Sequence, residues 1–469
     1  MKRLVILLLF QFSIFNFQLT QAQWWTGWSE QTSLALCLHL DGDSLELYSP
    51  LQHTDPIPIS QWSLQNDTLR IHCKSIGFKA TLVRQDSLWQ GNWRQGILRE
   101  QITFHPADTL YQLRRPQTPQ PPYRFDEETI TADYVDSHGD SIHLEGTLTY
   151  PKQSNSSPKL KEGGRRSTAV EECGKYPTIV LVSGSGQQNR DSEILFHKPF
   201  LVLADYLASR GIATLRYDDR GVGASTGPLD SADTRTFSED AEAMLRAVRN
   251  NEHVDATRLG IGGHSEGGAI APMVAARNKE AKFVVMLAGM GCTGLDILLQ
   301  QNDAIYRAKG VSGRLCQVRV DCMRDLFALP QGSTLKDYQA VILRHTEGLT
   351  PTEVDNIDLK KGVAYAMRQQ VESAWMQAFL RLDPADYLPQ VKAPILALQG
   401  TKDCQVIAAP NIAGITRLAG NHTQHVILSN LNHLFQHCTT GALDEYVRIE
   451  ETFAPEAMEK IANFILGIK

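Results

Sequence analysis

Between residues 24 and 115 apolar and polar side chains alternate. Runs at 34–40 (Leu-Ala-Leu-Cys-Leu-His-Leu), 44–48, 68–72 and 79–83 are separated by Asp-Gly, Asn-Asp and proline-containing turns. A period of two predicts half-buried strands, because successive side chains of a strand point to opposite faces. Residues 23–115 therefore read as a small antiparallel β-domain, a sandwich or a partly open barrel, closed by a hairpin near 88–104. Its tryptophans read as core. No cluster of titratable residues stands out along it, which leaves it an accessory role in packing or in orienting a substrate. Residues 116–122 (Pro-Gln-Thr-Pro-Gln-Pro-Pro) read as a stiff, extended linker.

Beyond the linker the period changes. Two strands at 130–135 and 142–150 form an edge hairpin, and the Gly/Ser/Lys-rich stretch 152–175 reads as a surface loop. Apolar strands at 178–182, 212–217, 258–261 and 283–288 then alternate with helical patterns at 200–209, 238–249 and 269–277, with Ser238 as a helix N-cap. That alternation is the mark of a parallel sheet. From about 291 to 390 the strands stop, and helical patterns such as 295–308 and 363–380 take over. Strands resume at 394–400 and 426–429, and 455–466 reads as a terminal helix. The expected fold is α/β: a mostly parallel sheet flanked by helices over 123–469, with a helical cap inserted at about 291–390 and an N-terminal all-β domain.

The chemistry concentrates in Gly263-His264-Ser265-Glu266-Gly267. This is G-x-S-x-G between a strand and an Ala-rich helix, the nucleophile elbow of α/β-hydrolases. A serine there needs an oriented base. In this fold the partners follow the serine in the order acid, then histidine. Asp403 comes just after the strand at 395–399, and His433 a few residues after the strand at 426–429, so Ser265, Asp403 and His433 are the expected catalytic set. His422 and His425 come too early. His437 could share a face with His433, but no carboxylate near it in sequence suggests a metal pair. An oxyanion hole in this fold takes one backbone N–H from the residue after the nucleophile and one from the loop after an earlier strand. Those are Glu266 and, within Ser183-Gly184-Ser185-Gly186, Ser185. The Glu266 side chain reads only as a helix-dipole partner. Arg190, Asp191, Asp218 and Arg220 read as a buried salt-bridge frame.

Composition changes the picture in two places. A formal charge of −6 in 469 residues argues against a nucleic-acid-binding surface. The first 22 residues run from a basic start (Lys2, Arg3) through an apolar stretch to Ala22, the order of a cleavable signal peptide. The expectation is a secreted or periplasmic protein without stable membrane insertion. Eight cysteines in an exported chain permit disulfides. Cys37 and Cys73 could pair, and Cys404 and Cys438 could bridge if their loops converge, whereas Cys316 and Cys322 read as buried thiols. No spacing resembles a zinc site.

The stretches 182–191, 215–225, 263–268, 398–403 and 431–436 together resemble bacterial α/β-hydrolase carboxylesterases of the prolyl-oligopeptidase-like group, whose members often carry an N-terminal β-domain. The likeness spans nearly all of the chain after the linker. Before it, the likeness rests only on Gly-Asn-Trp-Arg-Gln-Gly at 91–96. It implies hydrolysis of short acyl esters through an acyl-enzyme, with Ser265, Asp403 and His433 at the triad positions, a small-molecule ester as substrate and neither cofactor nor metal. Two other readings stay open: a serine peptidase using the same machinery, and a binding protein on a hydrolase scaffold.

Overall fold

The structure, a computed structural model, describes residues 23–29, 34–42, 44–51, 55–96, 98–152, 174–360 and 362–468. The signal-peptide expectation at 1–22 and most of the 152–175 loop lie outside these residues. The chain divides into two compact units between Arg114 and Arg115.

The first unit is one antiparallel sheet. Its strands are β1 (Gln23–Ser29), β2 (Leu34–Asp41), β3 (Ser44–Tyr48), β4 (Gln61–Gln65), β5 (Thr68–Cys73), β6 (Phe78–Gln85), β7 (Leu88–Gln95) and β8 (Leu98–Ala107), in the order β3-β2-β1-β8-β7-β6-β5-β4. A bridge from Leu47 in β3 to Ile57, just before β4, draws the two edges together. The inward residues of successive strands, among them Trp25, Leu38, Leu47, Leu82, Trp89, Trp93 and Phe104, form a single buried cluster. Alternation is what allows this, since every second side chain faces the same way, although β2 is buried continuously from Ala35 to Leu38.

In the second unit β9 (Phe125–Val135) and β10 (Ser141–Pro151) form the expected hairpin. They extend a sheet of β11 (Tyr176–Val182), β12 (Ala213–Tyr217), β13 (Val254–His264), β14 (Val284–Leu287), β15 (Ile395–Gly400) and β16 (Thr423–Leu428). The order is β16-β15-β14-β13-β11-β12-β10-β9, and the six strands from β11 on pair in parallel. Helices α1 (Pro199–Ala208) and α11 (Pro455–Leu466) cover one face. The other face is covered by α2 (Thr234–Val248), α3 (Gly267–Arg277) and α10 (Ala408–Ala419). Both faces of the central strands are thus buried, which is why they read as continuous apolar runs.

Between β14 and β15 comes the helical insertion: α4 (Gly294–Ala308), α5 (Gly313–Phe327), α6 (Leu335–Thr346), α7 (Pro351–Asn356), α8 (Val363–Glu372) and α9 (Ala374–Phe379). It packs around its own core of Leu326, Tyr338, Ile342 and Val371. The pattern at 363–380 is two helices rather than one. Ser373 interrupts it with an extended backbone, and its side chain caps α9 at the N–H of Met376. Likewise α2 starts a turn before Ser238, because Asp233 accepts from the N–H groups of Arg235 and Thr236 and completes a capping box with Thr236. The proline-rich stretch is no free spacer. The Gln117 amide donates to Phe453 O at 2.8 Å and accepts from Phe453 N at 2.9 Å, tying the segment to the start of α11. Seven cysteines are described, and all are free thiols, Cys37, Cys73, Cys404 and Cys438 among them.

Candidate active site

Strand β13 ends at His264, and α3 begins at Gly267. The turn between them places Ser265 at φ +58°, a left-handed conformation that non-glycine residues rarely adopt and that clusters at functional sites. Two glycines make the turn possible. A Cβ at Gly263 would lie 2.0 Å from the carbonyl oxygen of Gly267, and one at Gly267 would lie 2.2 Å from that of Val182. Neither neighbour can yield, because both are backbone.

Asp403 and His433, thirty residues apart, meet at the C-terminal edge of the sheet. Both are buried, and His433 Nδ1 lies 2.8 Å from Asp403 Oδ2. The other carboxylate oxygen accepts from the N–H groups of Gln405 (2.7 Å) and Val406 (2.9 Å), which fixes its plane. A carboxylate at Nδ1 requires the proton there, so Nε2 carries the free lone pair. Ser265 and His433 line one cavity of about 680 Å³. Its remaining wall is largely apolar and comes in good part from the inserted helices: Ile297, Leu298, Trp375, Met376 and Phe379.

His264, to which the sequence reading assigned no role, supports this pair. Its Nε2 donates to the carbonyl oxygen of His433 at 2.8 Å. Burial, with His433 adding to it, pushes its imidazole down to about 3, so it stays neutral and acts as a fixed donor.

Ser185 also lines the cavity. The loop that carries it packs tightly on Ser265, since a Cβ at Gly184 would stand 3.2 Å from Ser265 Cβ. The loop is tied down from behind by Asp219, which accepts from Ser183 Oγ at 2.6 Å and from Gln188 N at 2.9 Å. Burial pushes the Asp219 carboxyl up to about 7, with Asp240 and Glu266 adding to the effect. The Glu266 side chain is no simple dipole partner. It is buried and accepts from Thr234 Oγ1 at 2.6 Å and Trp375 Nε1 at 2.9 Å. Burial raises its carboxyl, against the lowering influence of Thr234, Ser185 and Trp375.

The charged frame forms, with partners partly different from a simple Arg190/Asp191/Asp218/Arg220 group. Arg190 pairs with Asp218 and Glu145, Arg220 with Asp136 and Asp240, and the buried Arg216 with Asp191 and Glu127. Arg216 sits inside an apolar strand, where the sequence reads only as core. His437 does have carboxylate neighbours, contrary to the sequence reading. Glu451 (2.8 Å) and Glu456 (3.0 Å) bracket it, supplied by distant stretches of chain, and hold its imidazole above the ordinary range despite partial burial.

Among the described residues, Asp136, His138 and Asp140 are the one group close enough to share a metal ion. Asp136 already accepts from the backbone of His138 and Asp140 (each 2.9 Å) and from Arg220, so the cluster reads as a hairpin turn rather than a ligand set.

A family model described as serine aminopeptidase, S33, matches residues 198–437, an interval that contains Ser265, Asp403 and His433. Esterase EstD of Thermotoga maritima is 23% identical over 376 residues, covering 80% of this chain and 73% of that protein. Among solved structures, hypothetical protein PA2218 of Pseudomonas aeruginosa is 18% identical, covering 77% of this chain and 100% of that one, at a TM-score of 0.43. An esterase of Pyrococcus furiosus, Pf2001, is 12% identical over 73% of this chain and 92% of its own, at a TM-score of 0.39.

Proposed function

We propose, for a chain that belongs to the serine aminopeptidase S33 family of α/β-hydrolases, that it hydrolyses carboxylic esters with Ser265 as nucleophile, His433 as general base and acid, and Asp403 as the group that orients His433. The observation that carries this reading is the 2.8 Å Asp403–His433 contact, made on the wall of a cavity that also holds Ser265 in its left-handed turn. In the first half-reaction His433 Nε2 takes the Ser265 Oγ proton as that oxygen attacks the ester carbonyl. The resulting oxyanion is held by the backbone N–H groups of Glu266 and Ser185. Collapse expels the alcohol, which receives the proton from His433 and leaves the acyl group on Ser265. Water, deprotonated by the same imidazole, then releases the acid. Nothing in this sequence needs a cofactor.

Esters are preferred over peptides because a free amino terminus would need a carboxylate presented to the cavity. Glu266 points instead into its own hydrogen bonds, and Glu193, on the cavity rim, is engaged by Lys198 at 3.6 Å and Asn189 at 3.3 Å. The apolar cap wall suits the acyl or alcohol group of a small ester. Turnover of p-nitrophenyl acetate and butyrate against aminoacyl p-nitroanilides tests the reading: esters should be cleaved faster, and a faster anilide would make the chain a peptidase. We further infer export, from the basic-apolar-small order of residues 1–22. N-terminal sequencing of the mature protein should begin after Ala22.

A further inference from the structure

Cationic residues that are scattered along the sequence of the N-terminal unit are brought into line by strand register. Across four neighbouring strands the directly opposed residues are His72 on β5, Lys79 on β6, Arg94 on β7 and Arg99 on β8. The next outward row, Arg70, Thr81, Asn92 and Gln101, runs beside it. The eight positions hold four formal positive charges and no acid, in a chain whose net charge is −6. Seven of them are exposed, and His72 is half-buried. Flanking residues such as Ile71, Ala80, Trp93 and Ile102 face the core. An open depression of about 780 Å³ lies over Lys79, Thr81, Asn92, Arg94, Arg99 and Gln101. Glu100, at its rim, is engaged by Ser29 Oγ at 2.6 Å.

Like charges directly opposite one another destabilise a sheet, so this row does not serve folding. The positive field also reaches His72, whose imidazole is lowered first by burial and then by Lys79, Lys74 and Arg94. At about 4.8 Å between strands, the row from His72 to Arg99 spans roughly 14 Å, one basic or titratable group per strand. That spacing is close to the rise of one sugar in an extended glycan chain.

We propose that this face binds an anionic polysaccharide laid across the strands, with its carboxylates on Lys79 and Arg94 and its hydroxyls on Thr81, Asn92 and Gln101. The neighbouring side chains favour that partner over other polyanions. Proteins that hold single-stranded nucleic acid stack bases on aromatic rings, and these rows offer none beyond the His72 imidazole. Membrane-surface binding joins basic residues to apolar ones, and beyond Arg70 the second row here is amide and hydroxyl. A hydrolase carrying such a surface would be held near ester groups borne on the polymer, by raised effective concentration. That consequence, unlike the binding itself, rests on the esterase reading.

The test uses the full chain and polygalacturonate, with binding measured by titration calorimetry at 50 mM and 200 mM salt and turnover of p-nitrophenyl butyrate followed in parallel. Wild type should bind, more weakly at the higher salt. The Lys79→Glu/Arg94→Glu double variant should lose at least tenfold in affinity while keeping ester turnover. Lys79→Gln/Arg94→Gln, which only removes charge, should give an intermediate loss and guards against misfolding of the first. Unaltered binding in both variants, no binding by wild type at 50 mM salt, or tighter binding to a single-stranded oligonucleotide or to anionic phospholipid vesicles than to polygalacturonate would each overturn the proposal. If ester turnover is absent but the glycan binds, the esterase reading fails and this one stands.

Discussion

The indole of Trp375, on the last helix of the cap, donates through Nε1 to the carboxylate of Glu266, the residue directly after Ser265, at 2.9 Å. One buried side chain thereby joins the cap, the elbow and, through Thr234 Oγ1 at 2.6 Å, the start of α2. Positioning of this kind affects rate more than binding, because small displacements at a reacting centre are costly.

Trp375→Phe keeps the ring in the cavity wall but removes the donor. It should lower kcat for p-nitrophenyl butyrate about tenfold, the equivalent of ~1.4 kcal/mol, with KM changed far less. Glu266→Gln, which retains an acceptor oxygen, should be the milder change and Glu266→Ala the more severe one. Equal kcat in wild type and Trp375→Phe would show that the contact has no part in positioning.

Asp219 makes stability depend on pH in a specified direction. Its folded carboxyl titrates at about 7, against about 3.9 for an unfolded aspartate. Between those values the unfolded chain has released a proton that the native one keeps, so this group's contribution to stability falls as pH rises from ~4 to ~7. Ser183 Oγ, Gln188 N, Asp240 and Glu266 are the groups that face it. His264 and His197, lowered to about 3 and about 4, act in the opposite sense, so the comparison must be a difference. The melting temperature of Asp219→Asn minus that of wild type should become more positive from pH 4 to pH 7. A flat difference would contradict the assignment.

Gly267→Ala tests the elbow. Its Cβ would enter the Val182 carbonyl at 2.2 Å, with Ser183 O at 2.4 Å. Backbone on both sides must shift, and the expected loss is several kcal/mol, beyond the ~0.5–3 kcal/mol of ordinary substitutions. Chemical denaturation measures it, and a loss under ~1 kcal/mol would mean that strand and helix do not approach as closely as described.

Asp403→Asn preserves shape while removing the charge that selects the Nδ1–H tautomer of His433. A loss in kcat of about 10³ to 10⁴ is expected. Full activity in this variant would remove Asp403 from the proposed mechanism.

What could be read from the sequence followed from local rules. The G-x-S-x-G turn announces itself because only glycine fits two positions to either side of Ser265, and the alternation of strand and helix gives the parallel sheet without knowledge of contacts. Asp403 and His433 are legible from their order after strands, which the chain displays directly. Partnerships between distant residues were hidden. Glu266 reads as a helix-start acid until Trp375 and Thr234 arrive from elsewhere. Arg216 lies in an apolar strand with nothing nearby to pair it, and the cationic row in the β-domain exists only through register. Helix ends failed where a cap outweighed periodicity, as at Asp233 and Ser373.

The central claim is that Ser265 is a nucleophile activated by His433. Fluorophosphonate labelling of wild type, Ser265→Ala and His433→Ala, followed by peptide mapping, tests it most directly. The adduct should fall on Ser265 in wild type, be absent from Ser265→Ala and form at least a hundredfold more slowly in His433→Ala. Labelling that persists in folded Ser265→Ala, or that proceeds equally fast without His433, would contradict it.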